Sequence, residues 1–345
     1  MKTGVIFFLK MTMLLTVAVS VPAASHIDVY AAEEVHIVDT EEQIYSYGEM
    51  VYDILSLTAK YDEILSFERL TKTSQGRYVY LLKFGNPDAD RKILITASIH
   101  AREYMTSQLV MSMLEEYLSE YDAVQRNGKS YKDSMGNLCF YILPMINPDG
   151  VAISQYGLSG VSGNKEKEWL RNKENEGYSL TQIKANAGGT DLNRNFPTGF
   201  GTDKNKAKEP SLLNYPGKAP LSEPESQAVA EVIDEIHFEA CINYHTQGEV
   251  LYYGMIGNTK TNEKKNDELM RIVYKHTRYY PILPKDMPNG SLSDYFQRIQ
   301  NEPSITVEIG RLENPVPIDQ FKAIYKKNFP VWEELAIKYG TEAKK

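Results

Sequence analysis

The stretch Ile95-Thr-Ala-Ser-Ile-His100-Ala-Arg-Glu103-Tyr-Met-Thr-Ser-Gln-Leu109 changes character at its middle. Residues 93–98 are an apolar run, which reads as a buried strand. From 103 to 121 apolar residues recur at Met105, Leu109, Met113 and Leu114, the spacing of a helix. His100 and Glu103 stand three apart where the one pattern gives way to the other. At such a turn an imidazole and a carboxylate can meet one metal ion from the same side. Zinc accepts both donor types, and its catalytic sites keep a fourth position open. Alone the pair is a weak signal, because two ligands do not make a site.

Outward from this stretch, apolar runs at 65–71, 78–84, 138–146, 240–244, 250–253 and 305–309 read as further strands. Gln75-Gly76 and Gly85-Asn86-Pro87 supply turns between them, and Asn147-Pro148-Asp149-Gly150 ends the run at 138–146. Helical periodicity covers 47–61, a segment from Glu223-Pro224-Glu225 to about 236, and 320–339. Residues 157–220 are rich in Gly, Asn, Lys and Pro with weak periodicity, the pattern of a long functional loop region. Strands alternating with helices predict an α/β sheet with helices on both faces. No composition break divides the chain. His245 ends the apolar run Ala240-Cys-Ile-Asn-Tyr-His245, at a strand mouth where open α/β sheets place ligands, and qualifies as a third ligand.

Lys2 and Lys10 flank the apolar residues 5–9, a second apolar stretch runs over 11–21, and small residues follow at Ala23-Ala24 and Ala31-Ala32. This is the pattern of a secretory signal, with cleavage expected after Ala31; an uncleaved anchor is the alternative. Residues 32–45 read as a flexible polar lead, and 46–340 as one catalytic domain. Without residues 1–31 the chain carries 36 basic and 45 acidic residues, a net charge of −9. That balance argues against nucleic acid or an anionic membrane as a partner. Cys139 and Cys241 each sit inside an apolar run, which predicts two free buried thiols rather than a bridge.

The chain resembles the zinc metallocarboxypeptidases of the carboxypeptidase A and T type over roughly residues 45–340. His100-Ala-Arg-Glu103 is similar to that family's first ligand pair and Tyr244-His245 to its third ligand. Asn147-Pro-Asp-Gly150, Gly189-Thr-Asp-Leu-Asn-Arg-Asn-Phe196, Ser222-Glu-Pro-Glu-Ser226 and Thr306-Val-Glu308 resemble further family segments in the same order. The resemblance implies a mixed, twisted sheet of about eight strands with helices on both faces. It implies one zinc ion held by His100, Glu103 and His245, with Glu308 as catalytic carboxylate. A carboxylate inside the apolar strand of 304–310 is expensive without a task or a partner. Beside zinc, Glu308 can take a proton from water and pass it to the leaving amine.

Asn193 and Arg194 match the residues that grip the substrate's carboxylate, which a guanidinium reads bidentately. The resemblance also asks for a cation where the scissile carbonyl's oxygen develops charge. Arg171, in Trp169-Leu170-Arg171, and Lys184, in Lys184-Ala185-Asn186, are the two candidates, and spacing to Asn193 favours Lys184. That spacing, with Glu308-Ile-Gly-Arg-Leu-Glu-Asn-Pro-Val-Pro-Ile-Asp-Gln-Phe321, resembles the bacterial γ-D-glutamyl-diaminopimelate peptidase branch. The family's mobile tyrosine has no clear match; Tyr279, Tyr280 and Tyr295 are candidates. The expected function is a secreted zinc peptidase, in the extracellular or cell-wall space, that cuts next to a carboxylate-bearing terminal residue of a muropeptide. A general carboxypeptidase acting on ordinary peptides is the alternative, and a non-catalytic binding module on the same fold a third reading. No stable membrane partner is expected, and the enzyme should be a monomer.

Overall fold

The computed structural model describes residues 36–125, 128–286 and 288–341. The signal and its cleavage site lie outside the described residues. One eight-stranded sheet runs through the molecule in the order β1-β2-β4-β3-β5-β8-β6-β7. The strands are β1 Leu65–Lys72, β2 Tyr78–Gly85, β3 Arg91–Thr96, β4 Leu138–Leu143, β5 Ala240–Thr246, β6 Val250–Tyr253, β7 Tyr280–Ile282 and β8 Ser304–Ile309. The central four, β4-β3-β5-β8, are mutually parallel. The antiparallel pairs β1–β2, β2–β4 and β8–β6 make the sheet mixed, as the resemblance implied. Parallel strands buried on both faces read as unbroken apolar runs; β4 and β5 are buried at every residue.

The helices are α1 Tyr47–Lys60, α2 Met105–Ser119, α3 Tyr131–Met135, α4 Pro148–Tyr156, α5 Asn164–Asn175, α6 Pro224–Glu235, α7 Lys260–Thr277, α8 Leu292–Gln300 and α9 Phe321–Thr341. One apolar cluster packs Leu109, Met113 and Leu114 of α2 and Trp332 of α9 against Ile95, Ile242 and Val307. A second packs Val229 and Ile233 of α6 and Phe296 of α8 against Leu94, Leu143 and Cys241. The two clusters cover opposite faces of the sheet, because neighbouring residues such as Leu94 and Ile95 divide between them. Cys139 and Cys241 are free and buried.

Two expectations need correction. Residues 157–220 are not all loop: α5 lies within them, and short 3-10 turns cover Gly157–Gly160, Leu180–Gln182 and Leu192–Arg194. Helix α5 buries only Leu170, so the apolar repeat that announces a helix is missing. The lead 32–45 is not a free segment over its described part. The N–H groups of Ile37 and Val38 donate to the buried Glu115 carboxylate at 2.6 and 2.9 Å, and Gln108 Nε2 donates to the carbonyls of Asp39 and Glu42. Val38 and Tyr45 are buried, and the Tyr45 hydroxyl donates to Asp53 at 2.7 Å. Polar composition suggested solvent; the contacts are polar backbone contacts made by a strap.

Candidate active site

Three parallel strands end side by side at the site. Beyond the end of β3, Ser98 takes a φ of 45°, a left-handed turn that a non-glycine residue adopts only when held there. Its N–H donates to Thr106 Oγ1 at 2.9 Å, and its hydroxyl stands 2.7 Å from Ser107 Oγ, whose own hydroxyl donates to the Pro144 carbonyl. This network sets the chain leaving the sheet, and Ala101–Glu103 then closes as a 3-10 turn that presents His100 and Glu103 together. His245 lies in β5, and Glu308 is its register partner in β8. In β8 the alternation is plain: Ile305, Val307 and Ile309 enter the core, while Thr306 and Glu308 face the cleft.

His100 Nδ1 stands 2.9 Å from Glu103 Oε1, and His245 Nδ1 stands 2.9 Å from Glu103 Oε2. One ligand atom from each of the three buried residues lies within 4.8 Å of the others. On the far side of the first imidazole, Nε2 lies 3.3 Å from Asp191 Oδ1. A carboxylate on one ring nitrogen fixes the tautomer and leaves Nδ1 as the lone-pair donor, as a metal ligand requires. Two imidazoles and a carboxylate, converging by these atoms, fit zinc with an open fourth position. Burial opposes ionisation of Glu103, but His100 and His245 outweigh it and hold its carboxyl well below the usual range. Burial pushes Glu308 up to about 7, with His245 pulling the other way and Glu103 adding to the rise.

His100 and His245 open on a cleft of about 690 Å³, also lined by Asn193, Arg194, Tyr252, Met255, Ser293, Asp294 and Glu308. Leu292 donates its N–H to Asn193 Oδ1 at 3.0 Å. The guanidinium of Arg194 is already engaged: Nε lies 3.3 Å from Asp191 Oδ2, Nη1 pairs with Asp203, and Nη2 donates to Asn214 Oδ1 at 3.1 Å. The segment at Gly290 presses on Arg194; a Cβ there would come within 2.5 Å of the Arg194 carbonyl, and φ is 90°. A wider hollow of about 890 Å³ adjoins the cleft across Lys285, Pro288 and Asn289 but is lined by none of His100, Glu103 and His245.

Of the two candidate oxyanion cations, the fold brings one to the site. The Lys184 ammonium lies 4.0 Å from Glu103 Oε1, because Ala101 and Arg102 donate their N–H groups to the carbonyls of Lys184 and Ile183. Arg171 is exposed on α5 and does not line the cleft. None of the three candidate tyrosines lines it either. Tyr279 is buried against Asn328, Tyr280 is 71% exposed beside Arg278 and Arg311, and Tyr295 donates to Asp234. The tyrosine that lines the cleft is Tyr252, the register partner of Thr306. Its place in the cleft follows from the pairing of β6 with β8, which residue order does not give. Asp191 was also missed as a partner of His100, although it lies inside a motif read for Asn193 and Arg194.

Similarity to known proteins agrees with this geometry. The family model Peptidase_M14, zinc carboxypeptidase, matches residues 51–324. The protein YqgT of Bacillus subtilis is 30% identical over 80% of this chain and 75% of its own length. The γ-D-glutamyl-L-diamino acid endopeptidase 1 of Lysinibacillus sphaericus is 30% identical over 83% of this chain and 70% of its own. The structure of bovine thrombin-activatable fibrinolysis inhibitor, solved with a tick carboxypeptidase inhibitor, superposes with a TM-score of 0.66. It is 19% identical and covers 86% of this chain and 97% of that one. The chain belongs to the zinc carboxypeptidase family and is a zinc-dependent peptidase.

Proposed function

We propose that the protein is exported and hydrolyses the γ-D-glutamyl bond to a diaminopimelate-type residue in cell-wall peptides. The observation that carries the chemistry is the pair of Nδ1 atoms converging on Glu103, with Glu308 in register beside His245. The likeness to an enzyme named for γ-D-glutamyl-L-diamino acid bonds, spread over most of both chains, supports the choice of substrate. The apolar stretches near Met1 support export.

His100, Glu103 and His245 would hold the zinc ion, which supplies Lewis-acid polarisation of the scissile carbonyl. Asn193 and Arg194 bind the carboxylate of the leaving residue and set its register in the cleft. Glu308 takes a proton from the attacking water and returns it to the departing amine. Burial, which raises its carboxyl to about 7, suits a group that must both accept and release a proton near neutrality. The Lys184 ammonium, 4.0 Å from Glu103 Oε1, would oppose negative charge growing on the carbonyl oxygen. Tyr252 and Met255 line the same cleft as Glu308. Incubation with muropeptides and with standard C-terminal peptide substrates, with products identified by mass, tests the reading. Release of diaminopimelate-containing peptide is expected. Release of ordinary C-terminal residues alone would move the substrate to the general carboxypeptidases.

A further inference from the structure

The segment that follows the catalytic strand resembled one branch of the family, yet none of the chemistry above uses it. It leaves β8, runs from Arg311 to Gln320 and enters α9. Gln320 closes it on itself: Arg311 donates its N–H to Gln320 Oε1 at 2.9 Å, and Gln320 Nε2 donates to the Arg311 carbonyl at 3.1 Å. Val316, 1% exposed, anchors it in the core. From this closed loop one side chain reaches toward the metal centre. Thr246 donates its hydroxyl to Asn314 Oδ1 at 2.8 Å, and Asn314 Nδ2 donates to the Thr246 carbonyl at 3.2 Å. An amide side chain gives from its nitrogen and receives at its oxygen at the same time.

Thr246 follows the ligand His245, and its N–H donates to Glu103 Oε2 at 3.2 Å. That oxygen is the one facing His245 Nδ1. The other side of the loop is tied as well. The Asn314 carbonyl accepts from Gln182 Nε2, and Gln182 Oε1 accepts from Arg102 Nη1 at 3.0 Å, next to Glu103 in the chain. The strap at the start of the described chain secures the loop from outside. Gln43 Nε2 donates to the Val316 carbonyl at 3.0 Å, and its Oε1 accepts from the Ile318 N–H at 2.8 Å.

We propose that Asn314 is a positioning residue for the metal centre. Through Thr246 it fixes the orientation of the Glu103 carboxylate and of His245, and Gln43 of the strap holds Asn314 in place. The inference rests on Glu103 being a zinc ligand. Groups that orient a ligand from outside typically change metal affinity or activity ~10–100-fold when removed. The test loads each variant with zinc and follows zinc loss to a chelator, kcat, KM and Tm. Asn314→Ala should release zinc about tenfold faster and lower kcat, with KM for carboxylate substrates unchanged, because Asn193 and Arg194 are untouched. Gln43→Ala should move the same readouts less. Thr246→Val should behave like Asn314→Ala, Thr246→Ser like the wild type, and the double Thr246→Val/Asn314→Ala no worse than either single. If Asn314→Ala folds poorly, the Thr246 pair decides alone. Wild-type zinc loss and kcat in Asn314→Ala and Thr246→Val, with or without a lower Tm, would overturn the proposal. Glu103→Ala retaining zinc would instead overturn the ligand assignment, and this inference with it.

Discussion

Glu103 and Glu225 are both 1% exposed, and their carboxyl groups end in opposite states. Glu103 has an imidazole 2.9 Å from each oxygen and a lysine ammonium at 4.0 Å, and its carboxyl is held well below the usual range. Glu225, at the start of α6, has Asp149 and Glu223 as charged neighbours and one oxygen with no partner. Burial pushes it up to about 8, and the two carboxylates add to the rise. Desolvation acts on both; the neighbours decide the sign. A buried carboxylate that must bind a cation needs positive or donor groups already around it. A buried carboxyl with carboxylates for charged neighbours, and only its own N–H and the Asn186 amide opposing the rise, keeps its proton.

The largest effect should come from removing the charge at the first of these sites. Glu103→Gln keeps the shape but takes away the anion that two imidazoles and a dication need. Zinc content should fall to background, and activity with it to the level of chelator-treated enzyme. Stoichiometric zinc in the variant, measured by metal analysis, would mean that the carboxylate is not a ligand. Glu308 stands between the extremes, half-buried and beside His245. Glu308→Gln should keep zinc and lose ~10²–10⁴-fold in turnover, the usual loss for a general acid–base group. A loss under about tenfold at saturating substrate would show that another group moves the proton.

Arg194 tests carboxylates held by a guanidinium rather than by imidazoles. Its nitrogens engage Asp191 and Asp203 without substrate, so an incoming carboxylate must share or displace one of them. Arg194→Ala should weaken carboxylate substrates by ~1.5–3 kcal/mol, the range for a charged hydrogen bond. Zinc content should not change, and an amidated analogue should be affected far less. Asp203→Asn frees part of the guanidinium and should act in the opposite direction, lowering KM for the free acid. Equal losses on acid and amide in Arg194→Ala would assign the residue to loop support.

Much of this was legible in the sequence. The parallel strands are apolar runs, and the candidate ligands His100, Glu103 and His245 lie where those runs stop, so residue order could suggest them; Glu308, inside its strand, needed the family resemblance. Helix α7 could not be found that way. Its buried face is Asn262, Asn266, Leu269, Val273 and Thr277, and two of those five are amides that satisfy backbone and side-chain groups, among them the N–H of Ser304. A polar buried face hides helical periodicity. Tyr252 and Asn314 were missed for another reason: each acts across the sheet or between distant segments, and pairing partners are not written locally. The strap was misread because its anchors, Glu115, Gln108 and Gln155, belong to other helices.

The smallest effect on turnover is expected at Glu225, and it concerns pH. In the folded protein the carboxyl titrates at about 8, whereas in an unfolded chain a glutamate titrates near ~4.3. Below the lower value both states are neutral and the residue is silent. Between the two values the unfolded chain has lost the proton that the folded chain still binds. Rising pH therefore favours unfolding, by up to ~1.4 kcal/mol per pH unit from this group. Above about 8 both states are ionised and the slope ends. Glu225→Gln has no proton to lose, so it should match the wild type in kcat and gain in relative stability as pH rises. Its Tm relative to wild type should be higher at pH 8 than at pH 5. Parallel Tm curves would mean that Glu225 is ionised in the folded protein, with a cation reaching its free oxygen, and the opposition to Glu103 would vanish.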